Sequence, residues 1–347
     1  PAARSSVCLI NGAEGKLQYR GYPIEQLAEK CTYEQVAYML LFGEFATDDE
    51  LKAFEAELAR ERSLKFRIID VLKNLPERGH PMDALTAAVA SMGMFYPGDH
   101  VEDLEFRRLS AVRLVAKLPT VVAAWHRIRQ GDNPIEPRAD LGHAANFLYM
   151  LHGEEPDELT AKIMDVALIL HAEHSMNAST FTARVTGSTL ADPYAAVASA
   201  IGSLAGPLHG GANERVLSLL ETIPDSKPEN VRRWAEDKLA RKEKIMGFGH
   251  RVYKAKDPRA TVLQGLVGQL FEKFGSSPIY GVATELEKQM EQLVGHKGIY
   301  PNVDFYSGIV YEKMGIPIDL FTPVFAIARV AGWLAHREGR HRRRRGQ

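Results

Sequence analysis

Five polar stretches and one isolated arginine interrupt an otherwise apolar, helix-patterned chain. The first, residues 206–216, reads Gly-Pro-Leu-His-Gly-Gly-Ala-Asn-Glu-Arg-Val and sets His209 at a backbone break just ahead of a helical pattern. Free N–H groups and the dipole of a helix start disfavour positive charge, so an imidazole there stays neutral and suits donation to a substrate oxygen. Alone, the stretch is better explained as a helix-breaking turn that contains a histidine. The second, residues 170–179, carries His171 and His174 at i, i+3, which could suit a metal, but the His-Glu-x-x-His pattern is absent and no metal is assigned. The third, Met246 to Tyr253, offers exposed backbone N–H groups beside His250 and lacks the third glycine of a dinucleotide fingerprint.

The fourth stretch, Lys256-Asp257-Pro258-Arg259, starts a helix with a guanidinium in its first turn; a surface salt bridge is the plain alternative. The fifth, residues 298–308, sets Asp304 among Val303, Phe305 and Tyr306. Apolar company disfavours a charged carboxylate and raises its basicity toward that of a useful general base, although a helix cap would also place an acid there. Arg329 lies on the apolar run 321–334, where a buried guanidinium needs an anion. Together these groups can hydrogen-bond carbonyl oxygens, remove a proton and grip carboxylates. That set suits enolisation of one substrate beside a second that carries carboxylates. No nucleophile stands out: Cys8 and Cys31 lie away from the motifs, and Ser175 and Ser307 have no evident base.

The elements that must position these groups read as helices. Residues 7–20 form a short hairpin around Asn11-Gly12 and Gly15, almost the only strand signal. Helices are expected at 33–42 (capped by Thr32 and stopped at Gly43), 50–60, 64–75, 83–95, 102–130, 138–151, 157–171 and 193–204. Pro119 predicts a kink or break in 102–130. After the His209 stretch come helices at 228–242, 259–273, 278–294, 303–314 and 320–336, with loops at 246–258 and 295–303. The small residues Ala195, Ala196, Ala198, Ala200 and Gly202 imply close helix contact, with a subunit interface as one reading. The fold class is all-α with a small N-terminal β-hairpin.

Composition sets the outer bounds. Of 347 residues, 45% are hydrophobic and 25% charged, ordinary for a globular protein with a large core. The net charge of −1 is uneven: residues 337–347 hold six Arg and one Glu, +5, which leaves −6 on the remainder. That mildly acidic body argues against a nucleic-acid partner. Two cysteines supply no disulfide framework. Run lengths such as Val166–Leu170 predict no membrane span, and no leader is read at the start, so a cytoplasmic location is expected.

The ordered set of motifs resembles the citrate synthase family. It comprises Gly206-Pro207-Leu208-His209-Gly210-Gly211-Ala212-Asn213-Glu214, Gly247-Phe248-Gly249-His250-Arg251, Asp257-Pro258-Arg259, and Pro301-Asn302-Val303-Asp304-Phe305-Tyr306-Ser307-Gly308. The stretches 17–24 and 80–84 fit as well, so the likeness runs from about residue 5 to about 336 and is similar to the short bacterial and archaeal form. The extra N-terminal domain that carries NADH control in the longer bacterial type is not expected here. The resemblance implies a two-domain all-α homodimer: a large domain from 1–209 plus 313–347, and a small mobile domain from 210–312. It implies condensation of acetyl-CoA with oxaloacetate, then hydrolysis of citryl-CoA, with coenzyme A thioester as co-substrate and no permanently bound cofactor.

Carried over by motif, Asp304 abstracts the methyl proton, His209 stabilises the enolate and His250 donates to the oxaloacetate ketone. His174, Arg259 and Arg329, with Asn177 nearby, hold oxaloacetate. Lys244, Ile245, Met246, Gly247, Phe248, Gly249, Lys297 and Asn302 line the coenzyme A site. Relatives end in a segment whose arginine reaches the partner subunit's substrate; nothing after His336 matches it, so none is carried over. The Arg342–Arg345 tail is expected to be a disordered basic end. The same residues would also serve a 2-methylcitrate synthase using propionyl-CoA. Outside the family stand a non-catalytic helical dimer and a metal hydrolase built on His171, His174, His209 and Asp304.

Overall fold

The computed structural model describes the backbone of residues 5–98, 101–275 and 277–344, and side chains through Arg337. Strands β1 (Cys8–Asn11), β2 (Lys16–Tyr19) and β3 (Tyr22–Pro23) form one antiparallel sheet in the order β1-β2-β3. Its register pairs Cys8 with Tyr19, Asn11 with Lys16 and Tyr19 with Tyr22. The expected hairpin therefore gains a third strand, because Gly21, at φ +94°, permits a second tight turn.

Helices then follow: α1 (Ile24–Lys30), α2 (Tyr33–Phe42), α3 (Asp48–Glu61), α4 (Phe66–Lys73), α5 (Pro81–Phe95) and α6 (Leu104–Arg129). Polar caps set their starts. Thr32 with Gln35 and Thr47 with Glu50 form reciprocal capping boxes at α2 and α3. The helix α6 runs unbroken through Pro119, so of the expected kink or break the break does not occur. Next come α7 (His143–His152), α8 (Glu158–His171), α9 (Ala178–Gly187) and α10 (Pro193–Ala205). The helix α7 starts five residues later than expected, and α9 is an element that sequence patterning missed.

The remainder comprises α11 (Ala212–Leu220), α12 (Pro228–Ala240), α13 (Pro258–Phe274), α14 (Pro278–Val294), α15 (Val303–Lys313) and α16 (Phe321–Arg344). At the centre lies α16, packed on α2, α6, α8, α9 and α10, while α11 to α15 pack chiefly on one another. The segment Ile318–Arg337, with mean hydropathy 1.5, is long and apolar enough to cross a bilayer, which corrects the expectation from run lengths. Here 89% of it is buried against the other helices, the situation of a core helix. The tail expected to be disordered continues α16 as helix to Arg344; Arg345 lies outside the described residues.

Candidate active site

The His209 stretch is a tight turn between α10 and α11. Gly210 N–H donates to Leu204 O at 2.9 Å, and a Cβ on Gly210 would overlap that carbonyl, so the turn tolerates only glycine there. His209 Nε2 accepts from Ser179 N–H at 3.2 Å and lies 2.8 Å from Ser179 Oγ. Since Nε2 accepts, the neutral ring carries its proton on Nδ1, free to donate. Burial, with Arg329 adding to it, pushes the imidazole down to about 4, so it is neutral at physiological pH.

His250 is the mirror case. Its Nδ1 accepts from Val252 N–H at 3.0 Å and Tyr253 N–H at 3.3 Å, which places the proton on Nε2. Burial and then Arg259 hold it down to about 4. The His174 and His250 rings lie 5.1 Å apart edge to face, and Tyr253 touches both, its hydroxyl 3.3 Å from His174 Nε2. Burial first, then the charges of Arg259 and Arg329, pushes His174 well below the usual histidine range.

Asp304 opens α15, with Asn302 Oδ1 accepting its backbone N–H at 3.0 Å. Among the described residues no hydrogen bond holds its carboxylate. Burial raises it to about 6, against the opposing charges of Arg259 and Arg329 and with a contribution from Asp257. An acid poised there is ionised at neutral pH yet more basic than an exposed aspartate.

Both arginines are buried, Arg259 at 2% and Arg329 at 1% exposure. Arg259 pairs with Asp257 through Nε to Oδ1 at 3.0 Å and Nη2 to Oδ2 at 2.7 Å; the expected salt bridge exists, but inside the protein. Asp257 also accepts Val303 N–H at 3.3 Å, which fastens the start of α13 to the start of α15. Arg329 Nε donates to His171 O at 2.7 Å, its guanidinium 4.6 Å over the Phe325 ring. Burial lowers it only to about 10, so it remains a cation.

The two glycine-bearing loops are laced together. Gly249 N–H donates to Tyr300 O, Asn302 N–H to Gly247 O, and Asn302 Nδ2 to Gly249 O, all within 2.9 Å. Gly247 sits at φ +82°, and a Cβ there would come within 3.0 Å of Phe305 and Val216, a place no side chain fits. Asn302 thus spends both ends of its amide on the loops and on α15. Asn177 likewise serves as the N-cap of α9. Lys244 and Lys297 are exposed; Ile245 and Gly247 are buried, with Met246, Phe248 and Gly249 between these extremes. His171 belongs to the core: its Nδ1 lies 2.7 Å from Ala167 O, and it packs on Phe325. Among the described residues no three His, Cys, Asp or Glu side chains group to hold a metal ion.

Sequence reasoning missed Ser179, Trp333 and Asp257. Trp333 Nε1 donates to Ser179 Oγ at 3.0 Å, so α16 and α9 jointly support His209. The cap signature Asn177-x-x-Thr180 was the available signal for that helix.

A family model described as "Citrate synthase, C-terminal domain" matches residues 1–345. A curated protein of Synechocystis sp. named citrate synthase is 58% identical over 97% of this chain and 84% of its own length. One of Haloferax volcanii, also so named, is 48% identical over 96% and 88%. The crystal structure of citrate synthase from Pyrobaculum aerophilum superposes with TM-score 0.90 at 42% identity, over 97% of this chain and 86% of that one. The Thermoplasma acidophilum citrate synthase, solved as a ternary complex with carboxymethyl coenzyme A and oxaloacetate, gives 0.89 at 32% identity, over 96% and 88%. With the family model spanning the chain and the relatives this near, the chain belongs to the citrate synthase family, acyltransferases that join acetyl-CoA to oxaloacetate and release citrate and coenzyme A.

Proposed function

We propose that Asp304, His209 and His250 divide the condensation among them. Asp304 takes a methyl proton from acetyl-CoA. A carboxylate is a weak base for that task, so the developing enolate needs a donor already in place, and His209 Nδ1–H supplies it. The enol carbon then attacks the oxaloacetate ketone while His250 Nε2–H donates to the ketone oxygen. Arg259, Arg329 and His174 hold the oxaloacetate carboxylates, the guanidiniums as forks. Lys244 and Lys297 supply charge for the coenzyme A phosphates along the 244–249 loop, and Asn302 fixes that loop. Water finally cleaves citryl-CoA, a step that calls for exclusion of water until the carbon–carbon bond has formed.

In this reading residues 210–312 form the mobile small domain and 1–209 with 313–347 the large one, with the glycines beside His209 near the hinge. The active form is a homodimer in the cytoplasm. Phe181 and Val185, one turn apart on α9 and 45% and 49% exposed, support a subunit contact there. The single observation that carries the mechanism is Asp304: an acid raised by burial, without a hydrogen bond to its carboxylate among the described residues, which shares the charges of Arg259 and Arg329 with two histidines of fixed and opposite tautomer.

The test is release of free thiol from acetyl-CoA. It should require oxaloacetate and persist after thorough chelation. A higher kcat/KM with propionyl-CoA than with acetyl-CoA would instead make this a 2-methylcitrate synthase. Release that is absent under all conditions would leave a non-catalytic helical dimer.

A further inference from the structure

The N-terminal sheet has no part in the mechanism above, yet it touches both loops that carry the oxaloacetate histidines. At one end, Tyr19 is fully buried; its hydroxyl lies 2.8 Å from Glu173 O and accepts Glu173 N–H at 3.3 Å, one residue before His174. At the other end, the β1–β2 turn accepts Lys254 N–H on Gly12 O at 2.8 Å, one residue after Tyr253. A Cβ on Gly12 would come within 2.6 Å of the Val252 carbonyl carbon and closer still to its oxygen; one on Gly15 would meet Lys256 O at 3.0 Å. The turn thus lies directly on the backbone of 252–256. Asn11 Oδ1 stiffens it by accepting Ala13 and Glu14 N–H, and Arg20 N–H to Val7 O at 2.8 Å closes its base. The loop under the turn supplies the N–H groups of Val252 and Tyr253 that fix the His250 tautomer.

We propose that the β1–β2 hairpin is a positioning strut that sets the spacing between the His174 loop and the His250 loop, and so the grip on oxaloacetate. The inference rests on the oxaloacetate role given to His174 and His250. Gly12 and Gly15 are positioning residues: they touch no substrate and act through the backbone of 252–256. The strut also spans the division proposed between the two domains, with Gly12 on one side and Lys254 on the other.

Gly12 is a clean probe because its φ lies outside the left-handed region, and the three nearest atoms that an alanine Cβ there would meet all belong to Val252, its carbonyl and Cγ1. Gly21 is its counterpart, at φ +94° with nothing within 4 Å of a Cβ, so alanine there strains the sheet without touching the loop. Gly12→Ala should cut kcat/KM for oxaloacetate about 10-fold or more, since a displacement of the order of 1 Å in a binding group has that scale of effect. The KM for acetyl-CoA should stay within about 2-fold, and the Lys254 amide should exchange faster with deuterium in the unliganded protein. Gly21→Ala should lower Tm while keeping kcat/KM within about 2-fold.

A folded Gly12→Ala protein with unchanged oxaloacetate kinetics overturns the strut. If Gly12→Ala does not fold, Tyr19→Phe decides: a raised oxaloacetate KM with unaltered acetyl-CoA KM supports the strut, and unaltered oxaloacetate KM refutes it. His250→Ala separates the two levels of the argument. Were it active, the role given to His250 would fail; were it inactive while Gly12→Ala behaved as wild type, only the strut would fail.

Discussion

Two deeply buried aspartates, Asp304 and Asp165, are pushed upward by burial, and only one of them belongs to a catalytic constellation. Asp304 opens α15 with its carboxylate free of hydrogen bonds, within reach of the charges of Arg259 and Arg329. Asp165 lies inside α8 on a groove of about 710 Å³ lined also by Glu34, Arg62 and His143. Burial raises it as well, and the neighbouring Glu34 raises it further. Its oxygens, however, accept Tyr33 N–H at 3.0 and 3.2 Å, at the first residue of α2, while Glu34 accepts His143 N–H at the first residue of α7. Asp165 and Glu34 are thus both tied to helix starts, where a carboxylate satisfies orphan N–H groups and the dipole. Raised basicity alone therefore does not mark an active site. What distinguishes Asp304 is lone pairs uncommitted among the described residues, under the charges of Arg259 and Arg329, which between them also act on His174, His209 and His250.

The largest expected effect breaks that contrast from the catalytic side. Asp304→Asn should lower kcat by about 10³-fold, within the range known for loss of a general base, with oxaloacetate affinity by calorimetry retained. Near-normal turnover would remove Asp304 as the base. The same substitution should raise Tm. Asp304 is raised in the folded protein from an ordinary 3.8 to about 6, so its ionisation above about pH 6 costs stability, on the order of 2 kcal/mol after allowance for its partial exposure. Asn removes that cost. In the wild type, kcat/KM should fall tenfold per pH unit below about 6 as the base is protonated, whereas the histidines, held near about 4, stay neutral through that limb.

Arg329→Leu sharpens the contrast by testing the cations rather than the base. Loss of one charge-assisted fork should weaken oxaloacetate about 30-fold, ~2 kcal/mol, with a smaller change in the acetyl-CoA KM. Unchanged oxaloacetate affinity would make Arg329 a core ion matched to Glu173, whose charge already supports it.

The sequence carried the catalytic side of this contrast far better than the structural side. His209, His250 and Asp304 each stand at a helix break, and glycines and prolines mark such breaks plainly. Arg329 announced itself as a charge on an apolar run. The helix α9 did not, because Ser179, Thr180, Thr182, Thr186 and Gly187 give it weak propensity and the cap at Asn177 looked like one more polar interruption. It is helical because Ser179, Thr180 and Ala183 are buried, against α10 and α16, and no local pattern reports on those distant partners. Asp257 and Trp333 escaped for the same reason: their roles exist only where α13 meets α15 and α16 meets α9. Likewise Asn177 and Asn302 proved to hold backbone, an assignment that residue type alone does not make.

The smallest effect tests the structural side. Asp165→Asn keeps an oxygen that can accept Tyr33 N–H and removes a charge that burial and Glu34 both oppose. It should leave kcat/KM for both substrates within about 2-fold, because the groove shares no residue with the proposed site. Its effect belongs to stability, and the sign follows from linkage. A carboxyl raised in the folded state binds its proton more tightly there than in the unfolded chain, so the folded wild type loses stability as pH rises above the ordinary carboxylate range. The asparagine variant carries no such loss. Its Tm relative to wild type should be lowest at about pH 4 and should increase as pH rises to about 8. A difference that stays flat across that range would mean that the α2 N-terminus already offsets burial and Glu34 at Asp165, and that the groove acid is as ordinary in charge as it is in chemistry.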